Sequence, residues 1–99
     1  MNVYQHRASV TTAGGSISSA TLKINGGLCK HVIIRANTST TIFRANFVDT
    51  NSLTILNYGY HNGEINDQNI EIPMLGQVTV NITNASPDDT FSVLLSVQE

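Results

Sequence analysis

The 99-residue chain has the length of one domain with one thin core, and charged residues make up only 12% of it. Soluble domains average about twice that share, so asparagine, serine and threonine must hydrate much of the surface. The net charge of −2 offers no positive field for phosphate backbones. No export signal is evident, and no apolar run approaches the roughly 18 residues of a membrane span. We therefore expect neither nucleic acid nor a membrane as partner, and synthesis in a cytoplasm.

The charges are segregated along the chain. Every lysine and arginine precedes Asp49, and every aspartate and glutamate lies from Asp49 onward. If strands from the two halves interleave in space, opposite charges meet and the asymmetry disappears. If they do not, the molecule is a dipole suited to head-to-tail contacts.

Apolar residues recur with a period of two from end to end, and no stretch has the spacing of an amphipathic helix. Residues 4–10 alternate weakly, and residues 17–24 alternate more clearly after a break at Gly14-Gly15. The sequence Asn25-Gly26-Gly27 then predicts a hairpin, because asparagine and glycine tolerate the positive φ angles of tight turns. The chain therefore begins as a series of strands.

Residues 28–36 predict the central strand of the fold. Val32, Ile33 and Ile34 are all apolar, which is typical of a strand covered on both faces. Residues 41–48 predict the next strand. Its two phenylalanines, Phe43 and Phe47, are expected in the core.

The second half continues the pattern, with turn chemistry at residues 49–52 and a polar segment over 62–69. Pro73 has no N–H for a ladder hydrogen bond, so it belongs at a strand end or a sheet edge. Residues 78–82 and 91–97 alternate most clearly and predict the last two strands.

Strands at a spacing of about 8 to 12 residues predict an all-β domain. We expect an antiparallel β-sandwich, jelly-roll or immunoglobulin-like, of about seven or eight strands. No linker divides the chain. The expected organisation is one domain, with residues 1–12 as an N-terminal arm or first strand and residues 13–99 as the sandwich.

The chain lacks a recognisable set of catalytic or metal-binding residues. His6, His31 and His61 have no second ligand at a zinc-motif spacing, and Cys29 with His31 would supply at most half a site. Asp88-Asp89 follows a proline and predicts a turn rather than a calcium loop. No serine lies in a nucleophile elbow. We expect no enzymatic activity, no catalytic residue, no cofactor and no metal.

Tyr58-Gly59-Tyr60-His61 is the one aromatic cluster that flanking turn residues could leave exposed. Tyr58 and Tyr60 are expected on the same strand face. They could close one end of the core, or they could anchor a protein interface or support a sugar ring. These alternatives stay open at the level of sequence.

A further pattern covers most of the chain and consists of Asn25-Gly26-Gly27, the apolar strand 28–36, Thr41-Ile42-Phe43, Gly76 before residues 78–82, Asn84-Ala85-Ser86, and residues 91–95. The pattern resembles the small β-sandwich proteins of tailed bacteriophage virions. This resemblance implies a capsid decoration or cement protein that bridges capsid subunits. It also implies a location on the capsid surface, synthesis in the host cytoplasm, no cofactor, and a homo-oligomer, with a trimer favoured.

The implied partner is the major capsid protein or another virion protein, and a tail or fibre component is the alternative within the same class. The expected partner contacts are Tyr4, Arg7, Tyr58, Tyr60 and His61. If residues 1–12 form an arm, their deletion should abolish particle binding and leave the fold intact. A carbohydrate-binding module, with Tyr58, Tyr60 and the acidic loops as its site, is the alternative from another class. A small enzyme or metal protein has the least support.

Overall fold

The computed structural model of the chain describes residues 2–13, 17–84 and 87–99, and its regular elements are all β-strands. They are β1 (Val3–Ala13), β2 (Ile17–Ala36), β3 (Ile42–Val48), β4 (Thr54–Asn62), β5 (Glu64–Asn84) and β6 (Pro87–Gln98). The strands pair antiparallel in the order β1-β6-β2-β5-β3-β4. The all-β prediction is confirmed. The described residues include no helix long and apolar enough to cross a membrane.

Two long strands, β2 and β5, hold the sheet together, with 20 and 21 residues. The second half of β2 pairs with both β5 and β6, and the second half of β5 pairs with both β2 and β3. The pairing therefore defines two layers. The first layer contains β1, β6, residues 28–36 of β2 and residues 64–74 of β5. The second contains residues 17–24 of β2, residues 76–83 of β5, β3 and β4.

The hairpin predicted at Asn25-Gly26-Gly27 is wrong, because these residues lie inside β2. The register shifts there between Ile24 and Gly27, and Gly26 has a φ of 121°. A bulge bends its strand and increases the local twist, so β2 can pass from the second layer into the first. On the facing strand, Gly76 has a φ of 75° and pairs with Ile24.

The strand count is six, so the prediction of seven or eight is wrong. The sequence predicts a turn between residues 17–24 and residues 28–36. It also predicts a break between the short strand before Pro73 and residues 78–82. Each pair is instead one continuous strand. Pro73 lies in the first half of β5, and among the described strands this half pairs with β2 alone. Pro73 is therefore at a sheet edge, as its missing N–H predicts.

The polar segment predicted after Asn62 is the first part of β5. Only Gly63 turns the chain, with a φ of 73°. Its N–H donates to the Thr41 carbonyl at 2.7 Å, and its carbonyl accepts from the Ala36 N–H at 2.8 Å. Residues 64–74 have a high polar content because they form a sheet edge, where alternate side chains meet water.

One core lies between the two layers and receives buried apolar side chains from β1, β2, β3, β5 and β6. Phe43 of the second layer meets Phe91 of the first, with ring centroids 4.7 Å apart and planes tilted by 56°. The predicted central strand, residues 28–36, lies between β5 and β6. Val32 and Ile34 are fully buried, whereas Ile33 lies half-buried on the outer side.

The N-terminal residues belong to the sandwich. β1 pairs with β6 from Val3–Gln98 to Val10–Phe91, and Val10 is 2% exposed in the core. β1 therefore corresponds to the first-strand alternative expected for residues 1–12, and its pairing makes it part of the sheet. The break predicted at Gly14-Gly15, and Ala85-Ser86 of the pattern that resembles phage virion proteins, lie outside the described residues.

The two halves of the chain interleave, so opposite charges from the two halves meet on the first layer. Lys30 forms an ion pair with Glu71, and Arg35 forms one with Glu64. Both pairs join β2 to the first half of β5. The hydrogen bond and charge of Lys30 lower the pKa of the exposed Glu71 carboxyl.

Candidate functional site

The two tyrosines of the aromatic cluster do not share a face. A register shift in β4 places Tyr58 opposite Ala45 and His61 opposite Phe43, so Gly59 and Tyr60 form an irregularity between them. The rings of Tyr58 and His61 pack edge to face, with their centroids 6.4 Å apart. Tyr60 instead lies under Arg44, with Cζ 5.6 Å from the ring centroid. A single platform of Tyr58 and Tyr60 is therefore excluded.

Tyr58 is half-buried and has a structural partner. Its hydroxyl donates a 2.8 Å hydrogen bond to Asp67 Oδ2. Burial raises the pKa of Tyr58 well above its ordinary value, and the hydrogen bond and charge of Asp67 raise it further. His61 lies exposed beside it, with Nδ1 2.8 Å from the Gly59 carbonyl oxygen.

The other two candidate contacts lie far away in the sheet order, since Tyr4 and Arg7 belong to β1 and the aromatic cluster to β4. The Tyr4 hydroxyl accepts a 3.2 Å hydrogen bond from Asn2 Nδ2. Arg7 donates to Gln5 Oε1 at 3.0 Å and borders a groove of about 540 Å³ on the first layer. The five predicted residues therefore do not form one site.

Cys29 and His31 lie on opposite sides of β2, because the register shifts between them. Cys29 is fully buried, while His31 Nε2 lies 2.6 Å from Asn66 Oδ1 on the outer surface. Burial raises the pKa of the Cys29 thiol, and the charge of Asp67 adds to this. Across residues 2–13, 17–84 and 87–99, no three histidine, cysteine or acidic side chains are grouped to hold a metal.

A broad polar surface covers the outer side of the second layer, and we call it the amide face. Its central row crosses four strands in register: Ser19 pairs with Asn81, Asn81 with Asn46, and Asn46 with Asn57. Ser19 Oγ donates to Asn81 Oδ1 at 2.6 Å, and Asn81 Nδ2 donates to Asn46 Oδ1 at 2.9 Å. The side chains of Ser19, Asn81 and Asn46 thus form a hydrogen-bonded ladder across β2, β5 and β3, and Asn57 of β4 continues the row.

The rows beside this ladder are also polar. On one side Thr21 pairs with Thr79, their hydroxyl oxygens 3.5 Å apart. On the other side Thr83 pairs with Arg44, whose guanidinium lies over Tyr60. A shallow depression of about 240 Å³ opens over the ladder and is lined by Ile17, Arg44, Ala45, Asn46, Asn57, Asn81 and Thr83.

Sequence reasoning missed these asparagines. A signal was present, because Asn46 lies between Ala45 and Phe47, and Asn81 lies between Val80 and Ile82. An asparagine flanked by two core residues must point outward from its strand. That the two outward positions are neighbours depends on the pairing of β3 with β5, which the sequence does not reveal.

An apolar groove lies at the end of the sandwich where β2 and β5 bulge, and we call it the end groove. Its volume is about 630 Å³, and its lining includes Gly26, Asn51, Ile55, Pro73, Met74 and Leu75. Leu75 is 73% exposed. Leu53, which lies between the lining residues Asn51 and Ile55 in the sequence, is 63% exposed. Thr50 fixes the adjoining turn by donating from Oγ1 to the Gln77 carbonyl at 3.2 Å.

No protein-family model and no curated protein matches the sequence. Solved structures match over nearly the whole chain. One is FLHE, with a TM-score of 0.57, 11% identity, and coverage of 99% of this chain and 97% of that chain. Another is the CBM36-1 domain of a multidomain xylanase from the hindgut metagenome of Trinervitermes trinervoides, with a TM-score of 0.56, 10% identity, and coverage of 99% and 98%.

A third is the fucose binding module SpX-3 of Streptococcus pneumoniae. Its TM-score is 0.54 and its identity 12%, over 92% of this chain and 72% of that chain. Identities this low establish a common fold and nothing more. The comparisons therefore support the β-sandwich predicted from the sequence.

Proposed function

We propose that the chain is a non-enzymatic virion structural protein, a decoration or cement protein of a tailed bacteriophage, located on the capsid surface after synthesis in the host cytoplasm. The residue pattern that resembles such proteins supports this proposal. Because β2 and β5 each contribute one segment to each layer, the pairing of the six strands supports the jelly-roll form of the sandwich. A tail or fibre component is the alternative in the same class.

The observation that carries the proposal is the end groove. Leu75 is 73% exposed and lines this concave surface, and apolar side chains grouped in a groove suit a partner that covers them. The half-buried Ile55 lines the same groove, so a partner could cover it together with Leu75. Each Å² of apolar surface removed from water stabilises the contact by about 25 cal/mol. The partner proposed is the major capsid protein or another virion protein, bound by a homo-oligomer, with a trimer favoured.

Binding to particles tests this function. Purified chain is mixed with particles of the phage that encodes it, from which the chain is absent, and bound protein is measured after sedimentation. Leu75→Asp should weaken binding at least about tenfold. Ile17→Asp is the matched control, because Ile17 is also exposed, at 64%, but lies at the start of β2, outside the end groove. Equal binding by Leu75→Asp and the unmodified chain would overturn the role of the end groove.

Sedimentation equilibrium of the purified chain tests the oligomer. A trimer mass supports the proposed symmetry, whereas a monomer at all concentrations contradicts it. Mass spectrometry of purified virions tests the location, and absence of the chain from them would remove the decoration and fibre proposals together.

The second candidate function is a carbohydrate-binding module. It is favoured by the amide face, where amides and hydroxyls lie side by side in a fixed array. Two similar structures carry carbohydrate binding in their names, so the fold can present such sites, although fold alone does not assign function. The site would differ from the one expected from the sequence, because Tyr58 is engaged with Asp67 and only Tyr60 reaches the amide face.

A further inference from the structure

We propose that the amide face binds an acidic polysaccharide, with the asparagine ladder contacting sugar hydroxyls and Arg44 contacting a sugar carboxylate. This inference rests on the second candidate function and gives it a site and a ligand class. It does not depend on whether the chain attaches to a particle.

The ladder matches the chemistry of sugar hydroxyls. A hydroxyl both donates and accepts a hydrogen bond, and an asparagine amide offers an acceptor oxygen beside a nitrogen with two hydrogens. Asn81 uses one of these hydrogens to reach Asn46 Oδ1, which leaves the other for a ligand. Its own oxygen accepts from Ser19, so the amide plane is fixed on both sides.

This fixation lowers the cost of binding. An isolated exposed asparagine loses side-chain freedom when a ligand orders it, and that loss subtracts from affinity. Here hydrogen bonds between Ser19, Asn81 and Asn46 have already selected the rotamers. Successive strands are about 4.8 Å apart, so the row presents polar groups at regular intervals, which suits a ligand made of repeating units.

The depression over the ladder supplies both kinds of contact that a sugar ring needs. Asn57, Asn81 and Thr83 provide polar atoms, while Ile17 provides an apolar wall for the C–H side of a ring. Tyr60 is 66% exposed beside Arg44, and its ring offers a second apolar surface. A protein interface core would instead be mainly apolar and aromatic.

The charge of the amide face selects an acidic ligand. The paired rows of the amide face run from Lys23–Gln77 to Thr83–Arg44. Among the described residues of these rows, the charged side chains are Lys23 and Arg44, and none is a carboxylate. The ion pairs with Glu64 and Glu71 lie on the first layer. A planar guanidinium binds a carboxylate through two parallel hydrogen bonds, and the Tyr60 ring holds the Arg44 guanidinium in position.

The test is a glycan array that carries matched acidic and neutral oligosaccharides, followed by calorimetry on those that bind. The unmodified chain should bind uronic-acid oligosaccharides more tightly than their methyl esters. Arg44→Gln should remove this preference and the salt dependence that accompanies it. Asn57→Ala should weaken binding to both forms about tenfold, because it removes a hydroxyl contact but no charge.

The matched control is Asn66→Ala, which changes the same residue type on the outer surface of the first layer, where Asn66 contacts His31. It should bind as the unmodified chain does. Thermal unfolding of each variant shows that the fold is retained. No binding to any oligosaccharide, or equal losses in Asn66→Ala and Asn57→Ala, would overturn the site, and equal affinity for acids and esters would overturn the role of Arg44. Particle binding by the end groove is measured separately, so its failure does not imply the failure of this site.

Discussion

The Tyr58 hydroxyl donates a 2.8 Å hydrogen bond to Asp67 Oδ2, and this bond joins the two layers of the sandwich at one side. Tyr58 lies in β4, the last strand of the second layer, and Asp67 lies in residues 64–74 of β5, at the edge of the first layer. Backbone pairing does not connect these two edges at that point. The side-chain bond therefore closes the sandwich where the sheet does not.

Tyr58→Phe tests this closure. Removal of the hydroxyl leaves a carboxylate without its donor, so the free energy of unfolding should fall by about 1.5 kcal/mol. Urea unfolding measures the change. Tyr60→Phe is the control, because Tyr60 is exposed and its ring packs against Arg44, and it should remain within about 0.5 kcal/mol of the unmodified chain. Equal stability of both variants would show that the bond does not contribute.

The same residue predicts a loss of stability at alkaline pH. Burial first, and Asp67 second, raise the pKa of Tyr58 above its ordinary value of 10.0. The unfolded chain therefore releases the proton at a lower pH than the folded chain does, and stability falls as the pH rises above about 10. Unfolding free energies between about pH 8 and pH 11 should fall less steeply in Tyr58→Phe. The fall in unfolding free energy that remains in Tyr58→Phe is due partly to Cys29, whose pKa is also raised. The same dependence of unfolding free energy on pH in both proteins would contradict the prediction.

Gly27 is predicted to tolerate no side chain. A Cβ atom there would lie 2.2 Å from the Gln98 carbonyl oxygen, which belongs to backbone and cannot rotate away. Gly27→Ala should lower the free energy of unfolding by about 2 kcal/mol or more. Gly59→Ala is the matched control, because a Cβ at Gly59 meets no atom within 4 Å. That variant should be unchanged or more stable by about 0.5 kcal/mol, and similar losses in both variants would contradict the packing argument.

Cys29 should react slowly in the folded chain. Its side chain is fully buried, its thiol donates a 3.6 Å hydrogen bond to the His31 carbonyl, and burial raises its pKa. Labelling with a chromogenic disulfide reagent therefore requires opening of the sandwich. The rate at pH 8 should be roughly a hundredfold lower than in the urea-unfolded chain. Labelling at the same rate in both states would show that the thiol is accessible.

Deletion of residues 1–12 should prevent folding. The deletion removes Val10 from the core and leaves β6 without the partner that covers it from Val3 to Thr11. A sheet edge exposed in this way also promotes association. Circular dichroism and size-exclusion chromatography should show lost strand content or aggregates, whereas deletion of residues 1–2 keeps β1 and should retain the fold. A compact, cooperatively unfolding product of the longer deletion would show that β1 is a dispensable arm.

The turn prediction at Asn25-Gly26-Gly27 illustrates how local sequence can mislead. A hairpin and a bulge both require residues that adopt positive φ, so Gly26 fits either. The choice depends on whether residues 28–36 pair back onto 17–24 or continue beside β5, and long-range contacts decide this. The polar segment 62–69 lies mostly in β5, because an edge strand can carry polar side chains.

The sequence indicated individual residues of the candidate site but not which of them are neighbours in space. The sequence leaves open whether Tyr60 is exposed or closes the core; in the structure it is exposed, and its companion is Arg44 of the neighbouring strand rather than Tyr58 of its own. The period-two rule assumes a regular strand, and the irregularity at Gly59 breaks it. Tyr4 and Arg7 were proposed as contacts together with this cluster, and the sheet order separates them.

The sequence by itself determined the all-β class, the core phenylalanines Phe43 and Phe47, and the outward direction of Asn46 and Asn81, because alternation along one strand is a local property. Tertiary structure decided which strands are neighbours. Only the pairing of β2, β5 and β3 turns separate serine and asparagine side chains into one ladder, and only the return of β5 brings Asp67 to Tyr58. Register between distant segments is fixed by burial of the whole core, and no single segment contains that information.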